Sequence, residues 1–86
     1  MAAAILQVQS ILDGVMQSPL TDRNDLLISG KLLEKIDMVF DRAFEKKGEI
    51  YAGMIAYLKN RYGFTYTILK YNERHHLTAI RLRKFV

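Results

Sequence analysis

The 86-residue chain has no cysteine and no tryptophan, and its single proline is Pro19. Without cysteine there can be no disulfide staple, no thiol nucleophile and no thiolate zinc site. Serine is scarce: Ser10, Ser18 and Ser29 all fall early in the chain, with no nucleophile motif around them. Neither the phosphate loop GxxxxGKS/T nor the dinucleotide fingerprint GxGxxG occurs. The longest uninterrupted apolar run, Met1–Leu6, is far too short to cross a membrane, and the first residues lack the basic start and cleavage pattern of a signal peptide. The first 20 residues carry no Lys or Arg and do carry Asp13, which disfavours an anionic lipid surface. These absences predict a cytoplasmic protein with no membrane contact, no cofactor and no enzymatic activity.

Apolar residues are plentiful: Leu, Ile, Val and Phe make up 27 of the 86 residues, which excludes a disordered chain. A domain of this size buries only about 60–65% of its unfolded surface. Lacking staples, it is expected to bury more in an oligomer, with a homodimer the simplest case. The net charge of +4 hides an asymmetry. Residues 1–50 hold six Lys/Arg against eight Asp/Glu, whereas residues 51–86 hold seven against Glu73 alone. Seven of the nine aromatic residues also lie in that second part. No repeat or linker separates the two parts, so they read as a single domain, 1–63 helical and 64–86 a basic hairpin.

Ile5, Val8, Ile11, Leu12, Val15 and Met16 recur at three- and four-residue steps, which predicts a first helix ended by Ser18-Pro19. Asp22 is a candidate cap for a short helix 22–28. From residue 30 to 47, Leu32, Leu33, Ile36, Val39, Phe40, Ala43 and Phe44 share an arc of about 140°, the core stripe of a longer helix closed by Gly48. Continued backwards, that helix would put Leu27 and Ile28 on its charged side, so a break is expected near Ser29-Gly30. A last helix over 49–62 places Ile50, Tyr51, Met54, Ile55, Tyr57, Leu58 and Tyr62 on one side and Ala52, Gly53 and Ala56 on the other, with Gly63 closing it. A helix with small residues on one face invites close approach from a second element. Phe64–Tyr71 and Leu77–Phe85 then turn to β-branched and aromatic residues around the polar loop Asn72-Glu73-Arg74-His75-His76, a hairpin.

The strongest candidate site is this basic, aromatic end. Lys59 and Arg61 finish the last helix, Lys70 and Arg74 flank the hairpin loop, and Arg81, Arg83 and Lys84 line the last strand. Tyr66, Tyr71, His75 and His76 support them. Such a cluster attracts phosphate backbones by counterion release, and exposed tyrosines offer stacking surfaces. The plainer account is a solvated sheet face whose charges protect an edge strand. Adjacent histidines in a loop point different ways and find no further metal ligands by spacing. A sharper reading sets Tyr71, Arg74, His75, His76 and Arg81 together for metal-independent RNA cleavage.

The predicted fold is α+β, with three or four N-terminal helices followed by an antiparallel hairpin. That order resembles the winged-helix DNA-binding domains, by element order alone. A nucleic-acid-binding protein, DNA or RNA, is the leading expectation, although the candidate recognition helix offers only Glu49, Lys59 and Asn60 around its small residues. The competing expectation is a protein-interaction module, an adaptor or inhibitor. It would use the hairpin edge, or the parallel ridges of helix 30–47: Glu34, Asp37, Asp41 and Glu45 beside Lys31, Lys35, Arg42 and Lys46.

Overall fold

A computed structural model describes residues 2–43 and 47–84. Phe44, Glu45, Lys46 and Phe85, used in the helix, ridge and strand expectations, lie outside the described residues, as do the side chains of Arg42, Ala43 and Ile50. The order is α1 (Ala2–Gln17), β1 (Asp25–Ser29), α2 (Gly30–Ala43), α3 (Lys47–Tyr62), β2 (Tyr66–Tyr71) and β3 (Leu77–Arg83). The three strands form one antiparallel sheet in the order β1-β3-β2.

The α+β class stands, but the order of helices followed by a hairpin does not. The predicted helix 22–28 is strand β1, so a strand interrupts the run of helices on which the winged-helix-like order rests, and helices and strands interleave. The reason is visible residue by residue. Leu26 and Ile28 are buried while Leu27 between them is exposed, a period of two. Leu26 lies opposite Leu82 and Ile28 opposite Ile80 on the inner face, so β3 supplies the partner that a helix here would lack. Asp22 caps no helix; its carboxylate accepts from the Asn24 N–H at 2.8 Å, turning the chain into β1.

Other boundaries follow the sequence more closely. The Ser18 N–H and the Thr21 hydroxyl both donate to the Val15 carbonyl, at 3.1 and 2.7 Å, and α1 ends before Pro19. The break at Ser29-Gly30 is the strand-to-helix junction, and Gly30 takes a left-handed φ of 54° there. Gly48 does not close the preceding helix but lies in the first turn of α3. Gly63 ends α3 with φ 78°, its N–H donating to the Lys59 carbonyl at 3.0 Å.

The core lies between the three helices and the inner face of the sheet. Val8, Leu12 and Met16 of α1, Leu33, Ile36 and Phe40 of α2, and Met54 and Leu58 of α3 close on Leu26, Ile28, Phe64, Ile80 and Leu82. The small face of α3 is approached as expected: the Ile5 side chain of α1 comes within 3.6 Å of where a Cβ on Gly53 would stand. No helix among the described residues is long and apolar enough to cross a membrane.

Candidate functional site

β3 is the central strand, so its alternate residues define the outer face of the sheet. Arg83 stands between Asp25 and Tyr66, Arg81 between Leu27 and Ile68, and Ala79 between Ser29 and Lys70. Arg81 grips Asp25 with two bonds, Nε to Oδ1 at 2.9 Å and Nη2 to Oδ2 at 3.2 Å, and Arg83 Nε lies 3.6 Å from the same carboxylate. The bond from Arg81 holds the Asp25 carboxyl below the usual carboxylate range. Both arginines remain substantially exposed, yet a single aspartate from β1 already orders them. That aspartate is 56 residues from Arg81 in the chain, and the strand carrying it is the one the sequence conceals.

A second constellation lies at the end of α3. Asp13 of α1 accepts the Tyr57 hydroxyl, at 2.7 and 2.8 Å to its two oxygens, and the Tyr62 hydroxyl as well. Arg61 Nε approaches the same carboxylate at 3.5 Å, with its guanidinium 5.6 Å from the centre of the Tyr62 ring. Partial burial pushes the Asp13 carboxyl up, but the two tyrosine bonds and the Arg61 charge outweigh this and leave it lowered. The Tyr57 hydroxyl is pushed up to about 12, by burial first and then by its bond to Asp13.

Beside this knot the fold gathers cations that are far apart in sequence. The Lys84 N–H donates to the Asn24 carbonyl at 2.9 Å, which fixes the end of β3 against the turn entering β1. The Lys84 ammonium lies 5.3 Å from the centre of the Phe64 ring. Arg23, Arg61 and Lys84, with Met16, Gln17 and Tyr62, line one notch of about 360 Å³. Arg23 was missed by sequence reasoning because it stands among acidic neighbours, Asp22 and Asp25. Only the β1–β3 pairing reveals that it sits beside Lys84. Lys59 is half-buried one turn before Gly63.

The hairpin tip forms the third part. The Asn72 side-chain oxygen accepts from the N–H groups of Arg74 and His76, at 2.9 and 3.0 Å, and His75 takes a left-handed φ of 62°. Both histidines line one groove, of about 730 Å³, between the hairpin and α3. Its other walls are Tyr51, Ala52 and Ile55 of α3, Leu69, Tyr71 and Leu77 of the hairpin, and Asp37 of α2. Asp37 accepts the Tyr51 hydroxyl, which burial and this bond push well above its ordinary pKa, and the Tyr51 ring meets Phe40 edge-on at 5.1 Å. Arg81 is not part of this groove, so the set expected for RNA cleavage is not brought together. The tip holds Tyr71, Arg74, His75 and His76, whereas Arg81 is tied to Asp25 on the outer face.

The α2 ridges are only partly open. Lys31, Glu34, Lys35 and Asp41 are exposed, while Asp37 is half-buried and engaged by α3. No cluster of metal-ligating side chains occurs among the described residues. Compared with known proteins, the chain matches no family model, no curated protein and no solved structure.

Proposed function

We propose that the chain is a small non-enzymatic nucleic-acid-binding protein that holds the phosphate backbone on cations bordering the seam between α3 and the hairpin. One observation carries the reading: Arg23, Arg61 and Lys84, from three separate stretches of sequence, line one notch, and only Arg61 has a carboxylate partner among the described residues. Like charges brought together without neutralisation cost free energy unless an anion joins them. Lys70 and Arg74 at the far end of the hairpin extend the basic surface, also without a carboxylate partner among the described residues.

The test avoids Arg81 and Arg83, because reversing either would set a carboxylate against Asp25 and mix folding with binding. Arg23→Glu and Lys84→Glu are read instead by fluorescence anisotropy with labelled oligonucleotides over a salt series. Each reversal is expected to weaken binding at least about tenfold and to lower the slope of log affinity on log salt by about one. Unchanged affinity and slope in both variants would sink the assignment.

A second reading, a protein-interaction module or homodimer, is favoured by a different feature. Leu27 and Ile68 are 48% and 39% exposed on either side of Arg81, on a sheet face that no element among the described residues covers. The outer edge of β2 is also unpaired within the described sheet. Sedimentation in which the mass doubles with concentration, and reverts in Ile68→Lys, would support this reading.

A further inference from the structure

We infer that the groove between α3 and the β2–β3 hairpin takes an unstacked nucleobase, which makes single-stranded nucleic acid the preferred ligand over duplex; the inference rests on the nucleic-acid reading above. The exposed side of α3 is the first reason. Through its middle it presents Ala52 and Ala56, with Glu49 at its start, and the residues able to read a base edge, Asn60 and Arg61, come only in its last turn rather than in a row along the helix. What those small residues do permit is close approach, and Ala52 forms part of the groove wall.

The groove's own chemistry is the second reason. Its volume of about 730 Å³ lies within the range of small-molecule clefts, ample for one base. Tyr51 and Tyr71 face it, with Ile55, Leu69 and Leu77 completing apolar walls. Leu69 and Tyr71 stay 43% and 57% exposed, although each is large enough to bury, so the hairpin holds out an apolar and aromatic surface that the described residues leave open. Every nucleobase has a flat π face that stacks on such a surface whatever its sequence.

Charge then sets the orientation. Asp37 lies within the groove with its carboxylate engaged by Tyr51, so a phosphate is repelled from the interior while a base amino group finds an acceptor there. Arg74, exposed and without a carboxylate partner among the described residues, precedes the groove-lining His75 in the hairpin loop. Lys70, opposite Ala79, lies on the outer face of the sheet, across the hairpin from the groove. A base thus enters while its backbone stays outside, toward Arg74 of the loop, which a base stacked inside a duplex cannot do without being extruded.

The experiment is anisotropy with a labelled single strand of roughly 12 nucleotides and the duplex of the same sequence, using wild type, Tyr71→Ala and Tyr71→Phe. Wild type is expected to prefer the single strand at least tenfold. Tyr71→Ala should weaken the single strand about 5- to 100-fold, Tyr71→Phe should restore it because the ring suffices, and the duplex should not respond to either. Equal or tighter duplex binding overturns the inference while leaving the nucleic-acid reading intact. So does a single-strand affinity indifferent to Tyr71→Ala, the outcome expected if a partner protein's apolar side chain fills the groove instead. Absence of binding to either ligand at low salt overturns both readings at once.

Discussion

Asp13 joins two helices through one carboxylate, and its partners Tyr57 and Tyr62 lie 44 and 49 residues away, so no local spacing announces the knot. Replacing it with Asn keeps the shape and removes the charge that the hydroxyls and Arg61 face. Asp13→Asn is expected to cost about 1–2 kcal/mol, read from urea midpoints. The pH behaviour has two limbs of opposite sign. Asp13 and Asp25 have lowered carboxyls, so the stability they supply is present above about pH 4 and is lost as pH falls through their depressed values. Tyr57 is raised to about 12; its contribution is complete below the ordinary value of about 10 and vanishes as pH climbs through 12. A tyrosinate absorbance titration should therefore show a late-ionising class, and Asp13→Asn should bring its onset earlier. Ionisation of every tyrosine near 10 in the wild type would contradict the knot. Arg23 teaches the same lesson about legibility. Its neighbours in sequence are acidic, and its neighbours in space, Arg61 and Lys84, are known only once the fold is.

At the scale of elements, the helices were legible because each buries a stripe at helical period, and the hairpin because its residues and its polar loop change together. β1 was not legible. Leu26-Leu27-Ile28 is an unbroken apolar triplet in a five-residue strand, and periodicity cannot tell so short a run from a helical turn. The conflict that placed Leu27 and Ile28 on the charged side of helix 30–47 was the only trace of it. The junction that ends β1 makes a prediction with two signs. Gly30 has φ 54° and open space where an added methyl would stand, so Gly30→Ala meets no clash and costs only the left-handed backbone penalty, about 1 kcal/mol. Gly14 lies inside α1 with equally open space, so Gly14→Ala should stabilise by about 0.5–1 kcal/mol. Denaturant midpoints that move the same way in both variants would contradict the assigned backbone at one of them.

The whole molecule is a slab, 37 × 32 × 20 Å, thin because one helical layer backs one sheet and no described element covers the far side of that sheet. Within it α3 runs the length of the seam, and residues 51 and 62 stand about 16 Å apart along its axis. The tyrosine groove therefore lies near one end of the seam and the notch of Arg23, Arg61 and Lys84 near the other. The sequence showed that cations and aromatics crowd the last third of the chain; it did not show that they divide into two sites or that Asp25 ties up the arginines of the outer face. That division yields the last prediction. In an amide-resonance titration with a single-stranded oligonucleotide, shifts should fall at both ends of the seam, near Arg23 and Lys84 and near Tyr71–Leu77. Residues 31–35, where Lys31, Glu34 and Lys35 alternate in sign, should stay still because a phosphate chain gains nothing from a mixed ridge. Shifts confined to one end would mean that the groove and the notch serve different ligands. Shifts centred on residues 31–35 would move the interface to α2 and favour the protein-interaction reading instead.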